Sequence, residues 1–456
     1  MREGRTLIFN QFEFLFVFLP LTVAAFLAFP RLRTAILIVA SFAFYGISGV
    51  DHAVVLLIGT VWVWVLVRTD AAIGSRLRLT LAIAPPLLAL IYYKYLGFLL
   101  TTFGVGTSDV SKSFHIFGNV IVPAGISFFT FHLLAYALDR HAGRLAAPSL
   151  PQFLLFMSFF PHLVAGPILR YPDVANSIET ITKFRLRLDD VARFVGYTTT
   201  GLASKVLLAD TLGNYITQLR SNLDDLGQAA GAFVIFGYSF QIYFDFFGYS
   251  LVAIGVASLF GFQFPKNFDS PYLSADIRDF WRRWHITLSF WIRDYLYRPL
   301  GGNEHYLRNI LIVFVVCGLW HGAGWNFVLW GLGHALLVCL YHLGRNYWDP
   351  LPVTSRVAMT FTAVSLLWIL FLFDFRDAAR FLSALTSNGL RPDQVSLEMC
   401  AFLILAAVIC FTVDFYRISE NKPGRAAVFR NISLGMLFVL TLVFMDRSST
   451  FIYFRF

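Results

Sequence analysis

"LRNILIVFVVCGLWHGAGWNFVLWGLGHALLVCLYHLGR" occupies residues 307–345, and after Asn309 it carries no formal charge until Arg345. A helix needs about 20 mostly apolar residues to cross the hydrocarbon of a bilayer. This run is long enough for more than one pass. Gly322 and Gly324 near its middle permit a break or a close backbone approach. Apolar runs recur along the chain at 12–29, 35–50, 53–67, 77–93, 120–138, 150–169, 229–262, 310–343, 357–373, 399–413 and 432–445. Of the 456 residues, 57% are hydrophobic and 14% charged, where ordinary globular chains carry about 25% charged residues. The pattern predicts an all-α, polytopic integral membrane protein with roughly ten to twelve transmembrane helices. The two longest runs, 229–262 and 310–343, each have room for a hairpin or a broken, re-entrant helix. No stretch is left over for a soluble domain, so residues 1–456 read as a single integral-membrane domain.

The formal net charge is +9, with basic clusters at 68–78, 183–193, 266–308 and 417–430. Basic loops tend to stay cytoplasmic, so 266–308 is expected on that side and the loop 101–119, whose only basic residue is Lys112, on the other. These clusters form no continuous patch and resemble no nucleic-acid module, so the charge signals topology, not nucleic acid, and membrane lipid is expected around the chain. The opening MREGR leads into apolar sequence without a short h-region and cleavage site, which reads as a retained span. Cys317, Cys339, Cys400 and Cys410 all lie in apolar runs without a CxxC pair and read as buried thiols. No internal repeat is visible, which argues against a transporter or flippase of a lipid-linked sugar.

One polar stretch interrupts the apolar pattern: "RDFWRRWHITLSFWIRDYLYRPLGGN", residues 278–303. Its spacing predicts one helix over 274–297, with Ser274 as N-cap, Asp276 and Asp279 near the positive end, and Pro299 and Gly301-Gly302 as stops. Trp281, Trp284, Leu288, Trp291 and Tyr295 form one stripe. Arg278, Arg282, His285, Ser289 and Arg293 form the next. That is an amphipathic interfacial helix with its tryptophans at the membrane surface. A plain anchor accounts for the tryptophans but not for His285, where Lys or Arg would serve better. His321 lies twelve residues beyond Asn309, roughly 18 Å along a helix and so near the middle of a hydrocarbon layer about 30 Å thick. An ionisable group there is either a functional residue or a neutral histidine bonded between helices. His334 poses the same choice with less force. His285, His321 and His334 lack the spacing of a ligand pair and have no carboxylate or cysteine beside them, so no metal is expected. Asp245, alone in an apolar run, reads either as half of an interhelical pair with a buried histidine or tyrosine or as a residue that orients the site.

Five motifs carry a resemblance. They are "FFPHLVAGPILRY" (159–171), "YSFQIYFDFFGYS" (238–250), "LFGFQFPKNFDSPY" (259–272), "FWRRWHITLSFWIRDYLYRPLGGN" (280–303) and "GLWHGAGWNFVLWGLGH" (318–334), with "FIYFRF" (451–456) at the end. In these residues and their order, the chain resembles the membrane-bound O-acyltransferases, in the bacterial branch typified by alginate O-acetyltransferase. The resemblance covers nearly the whole chain. It implies transfer of an acyl group to a hydroxyl, with His321 of "WHG" as the essential histidine and His285 of "RRWH" as the second. Chemistry agrees: a hydroxyl is a poor nucleophile at neutral pH and needs a base poised there, which histidine is. On this reading His321 takes the acceptor's proton. The oxyanion finds donors in backbone N–H groups at the 322–324 break or in Asn326.

His285 binds or orients the donor. Arg282, Arg283 and Arg293 meet its phosphates by charge, and Trp320 and Asp245 join the substrate-binding candidates. No bound cofactor is expected. Acetyl-CoA is the expected donor substrate, and the expected location is the cell inner membrane. The resemblance further implies a hydrolase-like periplasmic acetyltransferase partner and polysaccharide-synthesis machinery that receive the acetyl group. A related branch makes D-alanyl transfer to teichoic acid from a carrier protein the alternative. The chain departs from the family pattern at Leu251, where Asp follows "GYS", and at Ser258, where many members have Arg. These positions share a helix face, so the departures read as a missing ion pair.

Overall fold

The structure is a computed structural model that describes residues 8–68, 75–104, 122–164, 166–416, 426–446 and 449–452. The expectations for the opening MREGR, most of the loop 101–119, part of the basic clusters at 68–78 and 417–430, and the last four residues of "FIYFRF" lie outside the described residues. Helices are the only regular elements among the described residues, with no strand. They hold 5 helices long and apolar enough to cross a membrane: Val50–Val67, Arg76–Thr102, Gln228–Ser258, Trp325–Trp348 and Val353–Leu372. The pair Phe14–Ala28 and Pro30–Gly46, bent by 112°, raises this to 6 if it forms one span. Leu397–Thr412 and Phe429–Met445 are shorter apolar helices. Large side chains such as Leu21, Val39, Ile58 and Leu88 face outward on these helices, as a lipid-facing surface requires. The chain is a multi-pass membrane protein. The runs at 120–138 and 150–169 fold as shorter helices, Ile126–His141, Leu150–Ser158 and Phe160–Leu163.

The chain gathers into two compact units, Met1–Thr198 with Val252–Pro265, and Thr199–Leu251 with Lys266–Phe456. In the first, Pro30 lacks an N–H and ends the preceding helix, which sets the bend. Phe26, Phe159, Phe160 and Phe260 interlock there edge to face. Arg33 is buried. Its Nε donates to Phe26 O (3.0 Å) and its Nη1 to Ile181 O (3.0 Å) and Phe184 O (2.7 Å), so carbonyls satisfy its guanidinium.

In the second unit the long run at 310–343 is broken, as its glycines allow. Helix Tyr306–His321 ends on the histidine and Trp325–Trp348 begins after Gly324. The two helices pack closely because Gly318 and Gly331 sit at the crossing. A Cβ on Gly318 would stand 2.2 Å from Phe327 O, and one on Gly331 would stand 2.2 Å from Phe314 O. The other long run stays one unbroken helix, Gln228–Ser258, 31 residues and roughly 46 Å long.

Candidate active site

The predicted helix over 274–297 is two helices, Ile277–Arg283 and Ile286–Ile292, followed by a π-helical turn at Arg293–Tyr297. Asp276 rather than Ser274 caps the first, its Oδ1 accepting from the N–H groups of Arg278 (2.8 Å) and Asp279 (2.9 Å). The hinge is His285, in left-handed conformation with φ 45° and ψ 55°. A non-glycine residue pays about 1–2 kcal/mol there, and Asn267 compensates. Its carbonyl accepts Ile286 N–H (2.9 Å), and its Oδ1 accepts Thr287 N–H (3.3 Å), Thr287 Oγ1–H (3.0 Å) and His285 Nδ1–H (3.0 Å). The backbone donor identifies that atom as the oxygen. It follows that His285 carries its proton on Nδ1 and presents Nε2 as the basic nitrogen. Asn267 Nδ2 donates in turn to Ser250 Oγ at 3.3 Å. Burial pushes the His285 imidazole down to about 3, so it stays neutral at physiological pH.

The hinge also corrects the interfacial reading of the tryptophans. Trp284 is 1% exposed and packs against Tyr243, Phe268, Tyr272, Phe280 and Trp368. Leu288 and Trp291 are buried too. A straight helix would have kept them on one outward stripe; the left-handed residue turns the stripe into the protein.

His285 and His321 both pack on Trp320, whose ring centre is 5.9 Å from the first imidazole and 4.8 Å from the second. His321 is buried and packs edge to face on Trp330 and Phe371, each at 5.1 Å. Trp330 also touches His334 at 4.7 Å. His334 is fully buried among Phe280, Trp281, Phe314 and Trp330, and neither of its nitrogens has a hydrogen-bond partner among the described residues.

A cavity of about 680 Å³ opens beside this column. Arg278, Arg282, Arg293 and Asn303 line its polar part, while Leu288, Ile292, Ile310, Val313 and Val338 line an apolar throat. Trp281 and Cys317 also line it, and Cys317 stands one helical turn before His321. Buried Trp281 Nε1 and His342 Nδ1, both on lining residues, have no hydrogen-bond partner among the described residues. Arg293 is held by Asp294 through Nε (2.8 Å) and Nη2 (3.0 Å). Arg283 pairs with Asp279 at 3.0 Å and is not in the lining. Arg282 is the exposed cation of the rim without an ion-pair partner among the described residues. This shape suits an elongated amphiphile, with an anionic head at the arginines and a mostly apolar arm reaching inward.

Two candidates sit elsewhere in the bonding scheme. Asn326 Nδ2 donates to Leu370 O (3.0 Å) and Phe373 O (3.3 Å), so both amide hydrogens are engaged and the expected oxyanion donor is not available. At the break, Gly322 N–H donates to Gly318 O (3.2 Å) and Gly324 N–H to Gly322 O (3.1 Å), which leaves Ala323 as the break residue whose N–H has no backbone acceptor among the described residues. Asp245 is buried in an ion pair, its Oδ1 accepting from Lys205 Nζ (2.6 Å) and its Oδ2 from Ile452 N–H (2.8 Å). Its partner is a lysine, not the histidine or tyrosine expected. Lys205 also donates to Asp210 Oδ1 (2.8 Å) and Thr450 O (3.3 Å). Burial opposes its charge, but the two carboxylates outweigh it and raise its proton affinity. The network fastens residues 449–452 rather than facing the cavity. Sequence reading missed Asn267 and Lys205. Asn267 stands inside the quoted motif 259–272; nothing local marks Lys205. Among the described residues no group of three or more His, Cys, Asp or Glu gathers to hold a metal.

Comparison with known proteins bears on this arrangement. Residues 44–372 match the family model described as the membrane-bound O-acyltransferase family. The chain is 33% identical over 448 residues to a probable alginate O-acetylase of Pseudomonas syringae pv. tomato, covering 92% of this chain and 85% of that protein. It is 32% identical to a peptidoglycan O-acetyltransferase of Helicobacter pylori, over 87% of this chain and 83% of the relative. A teichoic acid D-alanyltransferase of Streptococcus thermophilus is 33% identical over 46% of this chain and 55% of its own length.

Proposed function

This chain belongs to the membrane-bound O-acyltransferase family, and from that premise we propose that it moves acetyl groups from a cytoplasmic thioester donor, acetyl-CoA, across the inner membrane for O-acetylation of a secreted or cell-wall polysaccharide. One observation carries the choice of donor. The cavity has a cationic rim at Arg278, Arg282 and Arg293 and an apolar lining that includes Cys317, one helical turn before His321. Phosphates suit the rim, where arginine forms strong charge-assisted bonds. A pantetheine arm suits the throat, and its amides match Trp281 Nε1 and His342 Nδ1. Acetylation is favoured over D-alanylation because the similarity to acetylases spans 92% of the chain and that to a D-alanyltransferase 46%.

In the reaction, the acceptor's hydroxyl gives its proton to His321 as its oxygen attacks the thioester carbonyl. The tetrahedral oxyanion is met by N–H donors, with Ala323 the candidate at the break. The C–S bond then breaks, and the leaving thiolate takes the proton from the imidazolium. His285, held by Asn267 with Nε2 basic and packed on Trp320, orients the donor or acceptor. A hydrolase-like periplasmic partner and the polysaccharide machinery complete transfer to the sugar.

The test is acetyl transfer by purified His321→Ala and His321→Gln, normalised to folded protein. General-base catalysis contributes about 10²–10⁴-fold in rate. Glutamine keeps the volume and some hydrogen bonding but does not take the proton, so both variants are expected to fall by at least about 10²-fold with insertion unchanged. Near-normal turnover in His321→Gln would remove His321 from the role of base.

A further inference from the structure

The first unit carries a second recess that the acyl-transfer reading does not use. It is a groove of about 450 Å³ in the angle of the bent pair, with Phe18, Leu21 and Ala25 on one wall and Leu32, Ile36 and Val39 on the other. Its walls are apolar apart from Thr22, whose hydroxyl donates to Phe18 O at 2.8 Å and so adds no open polar group. Leu21, Leu32 and Val39 are 67%, 56% and 68% exposed, so the groove faces outward. From Leu32 to Val39 it runs roughly 10 Å along the helix, a depth that fits within one leaflet of a hydrocarbon core about 30 Å thick.

The bend where its two walls meet is not neutral. The turn Pro30–Leu32 packs against the turn Ile181–Lys183. Buried Arg33 fastens the two turns through the carbonyls of Ile181 and Phe184. This gathers Arg31, Lys183 and Arg185, all exposed and none with a carboxylate partner among the described residues, at the bend. Nearby Arg187 is excluded, because its Nε stands 3.6 Å from Asp190. Three cations without a carboxylate partner among the described residues, at the bend where the walls of an apolar slot of leaflet depth meet, are complementary to an anionic, chain-bearing lipid.

We propose that this bend is a specific site for an anionic phospholipid, with an acyl chain lying between the two helices and the phosphate at Arg31, Lys183 and Arg185. Apolar burial supplies affinity without headgroup choice, and the cations supply the choice. A lysine or arginine near an anionic lipid surface favours it about fivefold.

The test uses the full chain purified in detergent, stripped of lipid and titrated with phosphatidylglycerol or phosphatidylcholine of the same chain length. Binding is read by native mass spectrometry and by melting temperature. The wild type is expected to retain phosphatidylglycerol at least about fivefold better. Lys183→Glu should erase most of that preference while leaving chain binding. Ala25→Phe, which fills the slot from a partly exposed position, should lower retention of both lipids. Equal retention of the two lipids by the wild type overturns the proposal, as does a preference that survives Lys183→Glu. If Ala25→Phe folds and retains lipid as the wild type does, the groove is not the chain's seat. If it fails to fold, the headgroup preference and its loss in Lys183→Glu still decide.

Discussion

Removing the Asn267 side chain tests whether the hinge at His285 is held from a distance. Asn267 is fully buried, and its Oδ1 accepts from His285 Nδ1–H, Thr287 N–H and Thr287 Oγ1–H. In Asn267→Ala the hydroxyl can turn away, but the two N–H donors cannot. A buried donor left without an acceptor costs about 1–3 kcal/mol, so about 2–6 kcal/mol of stability is at stake. The left-handed residue loses part of its support as well. Asn267→Asp separates stability from electrostatics. A carboxylate accepts the same bonds, and it stands about 3 Å from the imidazole. An opposite charge favours the imidazolium, so the folded-state pKa of His285 rises from its depressed value of about 3. If turnover requires neutral His285, activity is lost as pH falls through that raised value, and the acid limb of the profile moves to higher pH. The assays are melting temperature and acetyl transfer per folded protein between pH 5 and pH 9. Wild-type melting and turnover in Asn267→Ala would refute the hinge. An Asn267→Asp profile that overlays the wild type, in a folded protein, would refute a need for neutral His285.

The buried lysine and the close helix crossing give two further tests. Lys205→Ala leaves Asp210 and Asp245 buried without their cation, a loss expected to destabilise by about 3–5 kcal/mol. Lys205→Met with Asp245→Asn should be much milder, and a differential scan of both variants compares them. Gly331→Ala places a methyl 2.2 Å from Phe314 O and should lower stability by about 1–3 kcal/mol through overpacking. Gly344→Ala, with open space around its Cβ position, should not; equal melting of the two variants would contradict the close crossing.

Features of the sequence that act within a few residues were legible. The charge-free run after Asn309 and its paired glycines gave two apolar helices with His321 at the break. The density of arginine at 278–303 marked the residues that line the cavity rim. Which lining arginines stay open is also local: Asp294 beside Arg293 engages that one, which leaves Arg278 and Arg282 without an ion pair among the described residues. What periodicity missed depends on acceptors far along the chain. Helical spacing ran unbroken through 274–297 because nothing in that stretch records Asn267, 18 residues before His285. Asp245 finds Lys205 40 residues away, and Ile452 N–H comes from further still.

These long-range partners share a chemical rule. Each is a buried polar group in an apolar setting, and such a group must be matched wherever the chain can bring a partner. A motif residue can therefore be indispensable for two different reasons. Asp245 holds a buried lysine here. His321 ends the first half of a broken helix and packs on Trp320, Trp330 and Phe371. An imidazole kept in aromatic surroundings at the end of a broken helix is poorly explained by packing alone, since phenylalanine or leucine would fill that space without a polar atom. The carboxylate of Asp245 is spent on holding Lys205 and residue 452, whereas the role proposed for His321 is decided by the glutamine variant, which keeps the volume and loses the proton acceptor.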